Sequence, residues 1–134
     1  MSTTNNLRGW VDDRRRVLIN LRLTLRQAVC ASIDTGFNGY LFWESLPDDL
    51  ADFGELSTLY EEVEVAGGRS LVVLGTSRIH WFDNEAVEVE SLFALTSKRL
   101  RPGDPVVLVG TALLSGTILA IDFSKGTVNV DRSG

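Results

Sequence analysis

Three neighbouring residues, Asp34-Thr35-Gly36, put a carboxylate, a hydroxyl and a residue without a Cβ at the end of an apolar run. A charge beside a core is expensive unless it is hydrogen-bonded or functional. Gly36 lets the backbone turn sharply and lets another chain or a ligand come close, and the Thr35 hydroxyl can lock the loop. Asp and Gly are also ordinary turn residues, so the tripeptide alone also describes, and more often marks, a hairpin turn. Other side chains offer less chemistry. The single His80 would suit a Ser-His-Asp arrangement, but no Gly-x-Ser-x-Gly nucleophile turn occurs. A lone strand His beside Trp81 reads as structural. Cys30 falls inside an apolar stretch, where a buried thiol acts as a small hydrophobe. One Cys and one His do not supply the ligands of structural zinc, and one Cys cannot form an intrachain disulfide.

The elements around Asp34 must deliver it. Val29, Ala31 and Ile33 fall on one face of an extended strand, with the small Ala28, Cys30 and Ser32 on the other. Before them, Val17, Ile19, Leu21, Leu23 and Leu25 alternate with Leu18, Asn20, Arg22 and Thr24, the pattern of a strand with one buried face. Arg26-Gln27 turns between the two strands, making a hairpin that ends at Asp34. Tyr40-Leu41-Phe42-Trp43 continues as a short apolar strand, with Phe42 and Trp43 either packing in the core or lining a side-chain pocket. Ser45 to Asp49 reads as a helix start: Ser45 caps, Pro47 suits the first turn, and acids favour the positive helix end.

Further along, strands over 59–66 and 71–81 flank Gly67-Gly68-Arg69 as a hairpin. Over 86–95, Val87 and Val89 point in while Glu88 and Glu90 point out. A polar loop over 96–105 holds Lys98, Arg99 and Arg101. Val106-Val107-Leu108-Val109 then forms a buried strand ending in Gly110, followed by a helical turn at Thr111-Ala112-Leu113-Leu114. Strands over 118–123 and 127–130 close the chain around the turn Ser124-Lys125-Gly126, with Asp122 as a solvated strand or turn residue. The pattern predicts an all-β domain with short helices near 47–53 and 111–115.

The chain has 134 residues, 44% of them hydrophobic, which suits one domain with a sizeable core. The expected division is an N-terminal tail over 1–16 and a single domain over 17–134. A net charge of −5 argues against nucleic acid as the main partner, since such binding rests on neutralising phosphates. No apolar run approaches the length of a membrane span. The N-terminus lacks the apolar core of a signal peptide, so the expected compartment is cytoplasmic. Arg14-Arg15-Arg16 suggests an anionic partner or, more commonly, a solvated edge. Trp10, in a tail, is expected to dock on its own chain or on a second copy.

The loop Asp34-Thr35-Gly36-Phe37-Asn38-Gly39, paired with the later strand to Gly110 and with Leu113-Leu114, resembles the retropepsin-like (clan AA) aspartic proteases of the cellular and bacterial branch over 17–130. In that family the Asp-Thr-Gly loop supplies half a catalytic site, and the later strand and short helix pack beneath it. The resemblance implies a retropepsin-like acid protease barrel and an aspartic endopeptidase acting on peptide or protein substrates. Two adjacent carboxylates cannot both ionise, so one activates water while the other holds a proton. No second Asp-Ser/Thr-Gly occurs, since Asp122 precedes Phe123 and Asp131 precedes Arg132. A two-lobed pepsin-like enzyme is therefore excluded, and the resemblance implies a homodimer with one Asp34 from each subunit.

Thr35 would reach across to the other loop, and Gly36 and Asn38 would bind substrate backbone. The hairpin carrying Gly67, Gly68 and Arg69 corresponds to the family's flap, although its spacing alone fits a plain surface hairpin as well. The strand over 118–123, with the segment around Trp10, is expected at the dimer interface. No cofactor and no metal are implied. One departure stands out: Thr111 replaces the Arg of the retroviral enzymes, and Phe37, Asn38 and Gly39 replace acids, so the ion pair beneath the site is missing. A second reading is a non-catalytic or partner-activated peptide-binding or dimerisation module on the same fold, against which the intact Asp34 argues.

Overall fold

Apolar alternation broken by Gly, Asp and Ser turns gives the chain its strands. The computed structural model describes residues 6–24, 27–45, 48–65, 68–82, 85–95 and 99–132. The strands are β1 (Asn6–Val11), β2 (Val17–Arg22), β3 (Ala28–Ile33), β4 (Leu41–Trp43), β5 (Gly54–Val65), β6 (Gly68–Trp81), β7 (Glu85–Ala94), β8 (Val107–Val109), β9 (Thr117–Asp122) and β10 (Thr127–Arg132), with one short helix, α1 (Thr111–Leu114). They form one sheet in the order β5-β6-β7-β4-β8-β3-β2-β1-β10-β9. A further pairing, Arg22 with His80, brings β2 back to β6. The strands from β6 round to β2 therefore close into a barrel, as the all-β expectation required. The hairpin β5–β6 projects from one side, and β1, β10 and β9 continue from β2 on the other.

One feature of the order positions the loop after β3. Strand β8 lies between β3 and β4, parallel to β3 (Ala31 opposite Val107, Ile33 opposite Val109) and antiparallel to β4. The consecutive strands β3 and β4 do not pair with each other, and the loop joining them passes over the end of β8.

The interior is filled by the predicted face of β3 and its neighbours: Ala31, Ile33, Val107, Val109, Leu41, Trp43 and Phe93 are all buried. Trp43 belongs to this core. Its ring stacks on Phe93 with centroids 6.1 Å apart, and its Nε1 donates to the buried Ser77 hydroxyl at 3.0 Å. Ser77 in turn shares a 2.8 Å hydrogen bond with Ser91. This polar chain satisfies the indole N–H, which would otherwise be costly to bury. Phe42 faces the opposite way, in a smaller cluster with Val72 and Ala94 against which Phe37, Leu92 and Leu108 pack.

Several elements differ from the sequence reading. The helix expected over 47–53 is a single 3-10 turn, Leu50–Asp52, with no side-chain cap; Pro47 lies outside the described residues. The Asp49 carboxylate accepts from Gln27 Nε2 instead of capping, and buried Phe53 ends the turn. Strand β5 begins at Gly54, ahead of the expected 59, with an irregularity in pairing between Leu56 and Tyr60. Leu18, placed by alternation on the outer face, is buried as well, with Trp10 as its cross-strand neighbour.

Asn6–Val11, within the stretch read as a tail, pairs with both β2 and β10. Asp122 is the last residue of β9 and holds the turn after it: its Oδ1 accepts the amides of Ser124 and Lys125, each at 3.0 Å. Leu25, Arg26 and Ala66 lie outside the described residues. Among the described residues, no helix is long and apolar enough to cross a membrane.

Candidate active site

Strand β3 ends at Ile33, and Asp34 is the first residue past the sheet. Its amide donates to the Val109 carbonyl at 2.9 Å, and its own carbonyl accepts the Phe37 amide at 3.1 Å. One carboxylate oxygen, Oδ1, accepts the Gly36 amide at 2.9 Å. The other makes no hydrogen bond among the described residues. Asp34 is half-buried, whereas Thr35 and Gly36 are exposed. The carboxylate is thus fixed by its backbone and by one oxygen, with the second oxygen left for solvent or substrate.

What holds the loop comes from the other end of the chain. The amides of Gly110, Thr111 and Ala112 donate to the carbonyls of Tyr40, Phe37 and Gly39 at 3.0, 2.9 and 3.1 Å. The Thr111 hydroxyl also reaches the Phe37 carbonyl, at 3.4 Å. A Cβ at position 110 would lie 2.2 Å from the Gly39 carbonyl oxygen and 2.7 Å from that of Phe37, so glycine is required by contact with backbone. Buried Leu113 and Leu114 anchor α1 in the core, and Phe37 packs edge-on against Phe42 at 6.0 Å. Where an ion pair was missing from the sequence, backbone hydrogen bonds and the Thr111 hydroxyl tie loop to helix.

Beside this loop lies a cleft of about 600 Å³, walled by the loop itself and by β5, β6 and β7. Asn38 and Tyr40 line it from the loop, Leu59 and Glu61 from β5, Leu74 from β6 and Glu90 from β7. Of the residues expected at the site, Asn38 is on this wall, whereas Asp34, Thr35 and Gly36 precede the lining residues on the same loop and do not line the cleft. Gly68 and Arg69 are exposed near the tip of the β5–β6 hairpin and do not line the cleft. Arg69 Nη1 instead sits 3.8 Å from Glu62 Oε1. Gly67 lies outside the described residues. The sequence reading did not single out Leu59 or Glu61 for the cleft. Its only signal was the outward half of a strand alternation, which looks the same on any solvated face.

The remaining candidates fall elsewhere. His80 sits at the barrel-closing contact with Arg22, its Nδ1 buried without a partner among the described residues. Burial pushes the Cys30 thiol up, with Asp12 and Asp104 adding to this and Arg16 opposing it; such a thiol is a poor nucleophile. Of the three arginines, Arg16 is structural: its Nε meets Asp12 Oδ2 at 2.7 Å and its Nη1 meets Asp104 Oδ1 at 2.9 Å. Burial raises the Asp12 carboxyl, but hydrogen bonds from the Arg16 amide and guanidinium, its charge, and the Arg14 amide outweigh this and leave it below its usual value. The Arg101 amide first, and then the Arg16 guanidinium, hold Asp104 low as well. Among the described residues, no group of three or more His, Cys, Asp or Glu side chains is placed to hold a metal ion.

No family model matches the sequence, and no curated protein matches it closely enough to count as a relative. The fold does have solved counterparts. A crystal structure of a retropepsin-like aspartic protease from Rickettsia conorii is similar with a TM-score of 0.61, over 92% of this chain and 97% of that one, at 15% sequence identity. At that identity the likeness is one of fold: this chain has the retropepsin-like fold.

Proposed function

We propose that this chain, with its retropepsin-like fold, is an aspartic endopeptidase that cleaves peptide bonds as a homodimer. The observation that carries the reading is the half-buried Asp34, set past the end of β3 in a loop that Gly110 and α1 brace and whose later residues, Phe37 to Tyr40, line a cleft. A lone Asp34 carboxylate has no neighbour to supply the proton that the carbonyl oxygen needs. Two of them, brought together by a twofold axis, share a proton because both cannot ionise at close range. The ionised Asp34 takes a proton from a bound water. The water oxygen attacks the peptide carbonyl carbon while the protonated Asp34 donates to the carbonyl oxygen. The tetrahedral intermediate collapses as a proton passes to the leaving nitrogen, and no covalent enzyme intermediate forms.

In this reading exposed Thr35 reaches across to the other loop and holds the two carboxylates in register. Gly36 and Asn38 hold the substrate backbone, and the β5–β6 hairpin with Gly67, Gly68 and Arg69 closes over it. Support for the position of the dimer contact comes from β9, the last strand of the sheet, whose outer edge pairs with nothing among the described residues. Ile118 in β9 and Phe123 just past its end are 60% and 59% exposed, large apolar side chains that a subunit contact would cover.

The test is cleavage of a mixed peptide library by wild type and Asp34→Asn from acid to neutral pH. The expected result is wild-type cleavage on the acid side of neutrality, inhibited by a transition-state mimic with a central hydroxyl, and none by the variant. Asn keeps the shape of Asp but cannot act as a base. Equal cleavage by both proteins would remove Asp34 from the mechanism. No cleavage by a folded wild type would favour a peptide-binding or partner-activated module on the same fold.

A further inference from the structure

Two loops outside the cleft gather most of their charge into one place. Arg14 and Arg16 lie in the turn before β2, and Arg99 and Arg101 in the loop before β8. Together with Leu100, Asp104 and Pro105 they line a second cavity of about 250 Å³, which shares no residue with the cleft lined by Asn38 and Tyr40. This is unusual for a chain whose net charge is −5. Crowded guanidiniums repel one another unless anions lie among them.

Two nearby carboxylates, Asp12 and Asp104, are already committed. Asp12 receives the Arg16 guanidinium and the amides of Arg14 and Arg16. Asp104 receives Arg16 on one oxygen and the Arg101 amide, at 2.8 Å, on the other. Arg16 is thereby fixed between the two loops, and its two ion pairs hold them together. The guanidiniums of Arg14, Arg99 and Arg101 make no hydrogen bond or ion pair among the described residues. All three residues line the cavity, which Leu100 and Pro105 line as well.

We propose that this cavity is a binding site for the phosphoryl group of a phosphate monoester. Planar guanidiniums present paired N–H donors that match phosphate oxygens two at a time, and several forks suit a dianion better than a single carboxylate. The cavity is roomier than a bare phosphate needs, and Leu100 and Pro105 give an organic substituent something to rest on. The same chemistry arrives either on a free small molecule or on a phosphorylated side chain of a peptide.

The test is titration of the full chain, at constant ionic strength, with inorganic phosphate, with O-phosphoserine and with a phosphoserine peptide. It is followed by nuclear magnetic resonance of the arginine Nε–H groups and by the melting temperature. The expected result is saturable shifts at Arg14, Arg99 and Arg101, and a melting temperature that rises with ligand. Each Arg→Gln change should weaken binding roughly tenfold, the size of one charge-assisted hydrogen bond. Arg→Lys changes, which keep charge but lose the fork, should fall between. Tighter binding of O-phosphoserine than of inorganic phosphate supports the monoester, and a further gain with the peptide identifies a phosphorylated chain as the source. Three results would each overturn the proposal: shifts that never saturate, an equal response to chloride, or unchanged affinity in the R14Q/R99Q/R101Q protein. Because these three side chains bond to nothing else among the described residues, their replacement should leave the fold intact, and the Lys variants provide an independent reading if it does not.

Discussion

Replacing Gly110 by Ala tests whether the Asp34 loop rests on a backbone-to-backbone contact. The new methyl would sit 2.2 Å from the Gly39 carbonyl oxygen, 2.7 Å from the Phe37 carbonyl oxygen and 2.6 Å from Phe37 Cδ2. Two of those atoms belong to the main chain and cannot rotate aside, so the loop must lift from β8. Overpacking of this kind costs about 3 kcal/mol. Unfolding entropy near 2.1 cal/mol/K per residue gives about 0.28 kcal/mol/K for a chain this size, so the melting temperature should fall by about 10 °C.

Gly103→Ala is the matched control. Gly103 has φ +87° with no atom within 4 Å of a built Cβ, so only conformational strain opposes the change. That strain is worth about 1 kcal/mol, or about 4 °C. Both variants are melted at one protein concentration and followed by circular dichroism, with peptide cleavage measured well below either transition. Gly110→Ala should also lose most cleavage while folded, because the amides of Gly110, Thr111 and Ala112 hold the loop. If Gly110→Ala melts no lower than Gly103→Ala and cleaves normally, the argument that β8 braces the loop is wrong.

Other outcomes follow from the same geometry. Ser77→Ala removes the acceptor of the Trp43 indole inside the core and should lower stability by about 1–3 kcal/mol in urea unfolding. Asp12 and Asp104 titrate below their usual values when folded, so the stability they contribute is present above the unfolded carboxylate pKa and lost as pH falls through the folded values. Arg16→Gln should therefore flatten the acid side of the stability-against-pH curve, read as urea midpoints from pH 6 down to pH 2. Ile118→Lys combined with Phe123→Asp should yield a monomer in sedimentation and abolish cleavage together with it; a cleaving monomer would exclude the shared site.

The parts of this fold that depend on local alternation were legible in the sequence. The inward face of β3, the apolar β8 and the hairpin partners all follow from period-two patterning between turn residues. The loop with Asp34 and its brace were legible through a pair of motifs, because Gly110 and Leu113-Leu114 do jobs that few other residues can do. What escaped depended on tertiary neighbours. Leu18 is buried on the face that alternation assigns to solvent. The expected helix shrank to one turn, with the Asp49 carboxylate engaged by Gln27. The Trp43–Ser77–Ser91 chain joins residues on three different strands. The walls of the cleft come from strands whose outward positions carry no distinguishing pattern.

The insertion of β8 between β3 and β4 also has a consequence in time. During synthesis the hairpin of β2 and β3 leaves the ribosome early, and Asp34 with it. The strand that fills the gap, and the glycine on which the loop rests, arrive only after β4 to β7 have been made. A growing polypeptide therefore carries the acidic residue through the synthesis of β4 to β7 without the support that orients it. Chains released before Val109 and Thr111 have emerged would have an unbraced loop whatever else they had folded, and a late, non-local pairing of this kind is slow to form. For a proposed peptide-cleaving protein this order of events works as a safeguard: competence comes only once β8, Gly110 and α1 have emerged.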